Sequence, residues 1–290
     1  MDTVSAFLLL LSIALSSGRN LLSKNISDTV FGERRFFIYQ TAIFSSGAFI
    51  LLLANIGKGG AVSSVTLFYS ICYALLLLSA QWCYTVALKN IDVSVCATVY
   101  SLGFIFPTIS GMLFWSEPVS LFKIVGIIIV IPTIILAGTV SKNANIKHGS
   151  PEFIVFLIIA MLASGGLGIV QKLQQKSMYT DQKNAFVFIA FLIASAFSFI
   201  CAMTFKTNNE GIKIPKLTFA SGVGVCFAVC NLLNTILAGR LESAIFFPTL
   251  NIGNILLSLV LSSILFKERF TKKHFLILLL GMTSILLISL

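Results

Sequence analysis

Apolar residues fill ten long runs, near 3–24, 33–54, 62–88, 93–115, 121–140, 152–175, 185–205, 215–238, 243–266 and 273–290, with mostly short polar gaps between them. Each run is close to the 20 or so residues that a helix needs to cross a hydrocarbon core about 30 Å thick. Four of them (62–88, 93–115, 185–205 and 243–266) hold no charged residue. The runs are continuously apolar and do not alternate every second residue, which favours helices over a β-barrel. The pattern predicts an all-α integral membrane protein with ten transmembrane helices and little chain left for a soluble domain. The first run has the length of a signal-peptide core. Nothing basic precedes it, Asp2 is acidic, and no clean small-residue cleavage site comes before Arg19, so it is read as the first membrane helix.

Composition agrees with that pattern. Of 290 residues, 57% are apolar and 10% charged, against about 25% charged in a soluble domain. The net charge of +10 comes from Lys and Arg at run ends, where membrane proteins keep them. No basic face with spaced aromatics accompanies it, so nucleic acid is not expected as a partner. The six cysteines (72, 83, 96, 201, 226 and 230) all fall inside apolar runs, and none forms a CxxC pair. Cys226 and Cys230 share a helix face without a nearby His, so packing is the better reading and neither metal nor cofactor is expected.

The chain repeats itself weakly but in order. Gln81, Tyr84, Thr85 and Asp92 match Asn231, Asn234, Thr235 and Glu242 at an offset of 150. Thr98, Tyr100 and Glu117 match Thr249, Asn251 and Glu268 at 151, and Ser17-Gly18 resembles Ser164-Gly165 at 147. The halves are residues 1–145 and 146–290, five helices each, joined by the polar segment Ser141 to Ser150. A repeat with an odd number of helices starts its second copy on the opposite side of the membrane. The expected fold is therefore two inverted five-helix repeats around a shared cavity near the midplane.

With these residues in place, the sequence resembles the drug/metabolite transporter superfamily, in its EamA-type ten-helix form. The resembling residues are Gly18, Arg34-Arg35, Gln81 to Leu88 leading into Asp92-Val93-Ser94, Glu117-Pro118, and Glu268 closing the second copy. The resemblance implies secondary transport of small metabolites, often export, across the cell (cytoplasmic) membrane. It also implies that both termini are cytoplasmic. Charge counting gives the opposite orientation: loops after odd-numbered helices carry 14 Lys and Arg, those after even-numbered ones 6, and the richer side is ordinarily cytoplasmic.

Polar groups inside membrane helices need a partner or water. Gln81 and Tyr84 are three residues apart and share a face, as do Asn231 and Asn234, and Asn251 and Asn254. Their bland reading is interhelical hydrogen bonding; their functional reading is a ligand site on the axis between the repeats. Tyr100, like Tyr84, is placed to stack on a planar substrate or simply to pack. Arg19 lies about 24 Å along the first helix. It either snorkels to the interface or clamps a substrate carboxylate or phosphate. Pro107, Pro132 and Pro248 favour kinks, with Gly103 and Gly253 as candidate hinges, and small residues at four-residue spacing (Ser79, Cys83, Ala87; Gly224, Ala228) suggest close helix contacts.

No Asp, Glu or His lies in the middle of any run. A proton-for-cation exporter usually needs such a carboxylate, so the expected substrate is a small neutral, zwitterionic or anionic metabolite. Exchange or facilitated diffusion is favoured, with a proton route through Glu117 or Glu268 left open. Two other readings compete. One is a non-transporting membrane partner or receptor subunit. The other is a membrane-embedded lipid-modifying enzyme, for which His148 and His274 lack spaced carboxylate partners.

Overall fold

In hydrocarbon each peptide group must be satisfied within its own segment, so long apolar runs become helices. The computed structural model describes residues 2–24, 33–56, 61–88, 96, 99–118, 120–140, 151–205, 214–265 and 272–289. Among them are ten helices: α1 Thr3–Lys24, α2 Glu33–Asn55, α3 Ser64–Ala87, α4 Ile105–Phe114, α5 Leu121–Val140, α6 Pro151–Lys176, α7 Lys183–Thr204, α8 Ile214–Arg240, α9 Ser243–Leu265 and α10 Lys272–Ser289. Six of these (α1, α2, α3, α6, α7 and α8) are long and apolar enough to cross a membrane, and the others contain shorter apolar stretches. Large apolar side chains such as Phe7, Leu10, Phe49, Phe68, Phe114 and Met203 point outward. An outer surface of this kind suits lipid rather than water.

The ends of the elements have local causes. Ser63 caps α3 by accepting a hydrogen bond from the Thr66 amide at 3.1 Å. The fourth run is not one uniform helix. A 3-10 turn at Leu102–Phe104 precedes α4, where Pro107 lacks the N–H that an α-helix would aim at the Gly103 carbonyl. By contrast, α5 and α9 continue through Pro132 and Pro248. Ser116, just past α4, sits at φ 49°. The Glu117 amide there bonds back to the Gly111 carbonyl at 3.4 Å, closing the helix as a left-handed cap does.

Packing runs mainly between the two halves of the sequence. Helix α1 lies on α8 and α9, α2 on α7 and α8, α3 on α6 and α7, α4 on α6 and α9, and α5 on α9 and α10. Three packed pairs, each with one helix from either half, run antiparallel. In α2 and α7, Arg34 donates to the Ala202 carbonyl at 3.2 Å, while Phe44 meets Phe191 with ring centroids 5.5 Å apart. In α5 and α10, the early Gly126 faces the late Ser284 and Ile288. In α4 and α9, the late Gly111 faces Ser243 at the start of α9.

Small residues permit this proximity. A β-carbon on Gly47 would lie 2.7 Å from the Phe191 ring, and one on Gly224 would overlap the Ile43 carbonyl oxygen. Beside it, Ser46 Oγ donates across the same seam to the Ser221 carbonyl at 3.0 Å. The expected close contact therefore occurs at Gly224, whereas Ser79 is exposed. Gly103 and Gly253 also sit in tight contacts, against the Met161 carbonyl and Ile13 respectively. Gly224→Val should force α2 and α8 apart at a cost of about 1–3 kcal/mol. Thermal unfolding in detergent will show a lowered Tm, while Gly222→Ala, whose nearest neighbour would be 3.8 Å away, should leave it unchanged.

Candidate substrate-binding site

Helix α8 orders the polar groups by depth. Phe227 is at the midpoint of this 27-residue helix. The Arg19 guanidinium lies over its ring, 4.6 Å from the centroid. It is half-buried. Its Nη2 also meets the side-chain oxygen of Asn20 at 3.5 Å. Among the described residues no carboxylate pairs with it. Arg19 thus lies against the middle of α8, and the ring face supports its charge by cation–π attraction.

One helical turn further along α8, about 6 Å by helix rise, is a closed hydrogen-bonded layer. Asn231, 6% exposed, accepts from the Tyr73 hydroxyl at 2.5 Å and donates to the Phe227 carbonyl at 2.7 Å. The Gln171 amide donates to the Tyr73 hydroxyl at 2.8 Å, and to the Asn231 carbonyl and Thr235 Oγ1, each at 3.3 Å. Helices α3, α6 and α8 are joined here. Asn234 accepts from Ser12 on α1 at 2.5 Å and approaches the Cys230 sulfur at 3.7 Å.

The other expected residues fall elsewhere. Tyr84 meets Tyr100 edge-on with ring centroids 5.1 Å apart and packs with Ala87, Cys96 and Leu157. Gln81, half-buried, lies one turn before Thr85, whose hydroxyl donates to the Gln81 carbonyl at 2.8 Å. Asn254 accepts from Ser17 at 3.0 Å and from Asn20 at 3.5 Å. Asn251 donates to its own helix at the Phe247 carbonyl, 2.9 Å. Asp92, Thr98, the 141–150 connector with His148, and Glu268 lie outside the described residues.

Tyr73 and Gln171 belong to this layer and do not stand out in the sequence, where Tyr73 is one aromatic among many and Gln171 sits in a run that ends in Gln and Lys. Lys172 and Lys123 need correction. Counted as loop charges, they are in fact buried. Lys172 Nζ pairs with Glu117 at 2.6 Å and donates to the Leu241 carbonyl at 2.9 Å. Lys123 pairs with Glu242 and donates to the Pro118 carbonyl at 3.2 Å. Glu117 also accepts from the backbone amide of Ser243 at 2.6 Å, capping α9, where a carboxylate suits the positive end of the helix.

An all-helical bundle with six helices long and apolar enough to cross a membrane, and an apolar outer surface, is a multi-pass membrane protein. Residues 152–290 match the EamA-like transporter family. Over 65 residues the chain is 43% identical to the "Uncharacterized membrane protein YvaE" of Bacillus subtilis (strain 168). That segment is 22% of this chain, and the chain spans half the length of this curated relative. A solved structure titled only "Crystal structure of protein" aligns over 99% of this chain and 96% of its own, with TM-score 0.80 and 13% identity, a likeness of fold. The EamA-like match thus covers just under half of the chain, at its C-terminal end.

Removing the Tyr73 hydroxyl leaves the buried side-chain oxygen of Asn231 without its donor. Tyr73→Phe should cost about 1–3 kcal/mol, read as a lowered Tm of the purified protein. An unchanged Tm would mean that the layer is already wet.

Proposed function

We propose that the protein is a secondary transporter that moves a small neutral, zwitterionic or anionic metabolite across the membrane by alternating access. Two five-helix halves, residues 1–145 and 146–290, would act as an inverted pair that rocks about a midplane site. The reading rests chiefly on Arg19. A cation held against the middle of α8 inside a membrane bundle is costly unless it faces water, a partner or a ligand, and among the described residues no acid neutralises it. The antiparallel packing of helices from the two halves supports an inverted pair.

Arg19 would grip a carboxylate or phosphate with two parallel N–H donors. Tyr84 and Tyr100 would line one wall and Asn251 and Asn254 the other, with Gln81 beside them, while Asn231 and Asn234 would floor the site from the layer one turn along α8. The partners are then the substrate and the lipid bilayer, and no cofactor takes part. Binding at about 100 times Kd should stabilise the protein by about 2.7 kcal/mol, so a thermal-shift screen against a metabolite panel will find the ligand class. Arg19→Gln should weaken binding of an anionic hit about 10- to 100-fold, since a hydrogen bond to a charged group contributes about 1.5–3 kcal/mol. Undiminished binding by folded Arg19→Gln, or pH-driven movement of ethidium, would contradict the reading.

A further inference from the structure

Both ion pairs formed by described residues, Lys172–Glu117 and Lys123–Glu242, join residues 1–140 to residues 151–290. Both lie at one face of the protein, where α4 and α6 end, α5 begins and α8 turns into α9. The Lys172 and Glu117 side chains are only 2% and 8% exposed. Their backbone partners also bind them to that face: Leu241 for Lys172, Ser243 for Glu117 and Pro118 for Lys123. Immediately beneath lies the Tyr73–Gln171–Asn231–Thr235 layer, which also crosses between the halves. This face is therefore cross-linked twice between the halves, by charge and by amides.

We propose that the Lys172–Glu117 and Lys123–Glu242 pairs form a latch that holds this face shut, and that opening toward it requires both pairs to part. The proposal rests on the alternating-access reading above. An apolar seal would expose hydrocarbon to water on opening. Ion pairs do the opposite: burying them costs hydration, which both partners recover when the face floods. Closed, each charge is compensated by its partner and by backbone groups; open, each is compensated by water. Such a contact has two acceptable arrangements, as a conformational equilibrium between two states requires. Glu117 is held inward by the left-handed turn at Ser116 and by its bond to the first amide of α9, so its release also frees the start of α9.

Hydrogen exchange of the intact protein in lipid nanodiscs tests this without a known substrate. In Lys172→Met and in Lys123→Gln, amides of residues 117–123 and 241–246 should exchange at least tenfold faster than in wild type. Because opening one face closes the other, amides at the opposite ends, residues 20–24, 84–88 and 214–218, should exchange more slowly. Reversing the more exposed pair, Lys123→Glu with Glu242→Lys, should restore the wild-type pattern. If Lys172→Met does not fold, the Lys123 variants carry the test. Faster exchange at the latch with no added protection at the opposite ends would identify a merely structural contact and overturn the proposal, as would no change at either end. Either result leaves the transport reading standing, which a transport assay tests separately.

Discussion

A helix already in hydrocarbon gains little by hiding apolar side chains against another helix, so association depends on close backbone approach and on interhelical hydrogen bonds. The α2–α8 seam supplies both. Gly224 lets the helices touch at the Ile43 carbonyl, and Ser46 bonds across to Ser221. Around it, Phe44, Phe191 and Phe227 interlock, with centroids 5.5–6.2 Å apart. Because α2 and α8 come from different halves, this seam joins the halves at their centre. The polar layer and the ion pairs occupy levels on one side of it.

The same constraint explains why few polar side chains stand alone. Asn231, Asn234, Gln171, Tyr73 and Thr235 each engage others across helices. Arg19 differs: its contacts are a ring face and a neighbouring amide, a strong donor with capacity left for a ligand. Distance along α8 separates the two roles, with the possible ligand site at Phe227 and the cross-linked layer one turn beyond.

Much of the fold was legible in hydropathy alone. The runs at 62–88 and 215–238 are α3 at Ser64–Ala87 and α8 at Ile214–Arg240. The interruption of the fourth run followed from Pro107, whose missing donor is a local property. Less of the site was legible. The offset of 150 led to Asn231 and Asn234 because their polarity contrasts with the run around them. It did not lead to Tyr73 or Gln171, which matter only because α3 and α6 happen to face α8 there. Nor did it reveal the burial of Lys123, Lys172 and Glu117. Near the ends of apolar runs such residues look like interfacial charges, and only the meeting of the α4–α5 and α8–α9 connections over the end of α6 encloses them. With two of the six positive charges on that side already paired, the charge asymmetry between loops is larger than the raw count.

As proposed above, the two halves alternate around a shared site to carry a solute through the membrane. Counterflow in sealed proteoliposomes tests it most directly: vesicles preloaded with an unlabelled metabolite that raises the Tm, then given a trace of the labelled compound outside. Alternating access predicts saturable uptake that overshoots equilibrium and is faster with the interior loaded than empty. Uptake that is linear in concentration and indifferent to the preload, for every metabolite that binds, would contradict it.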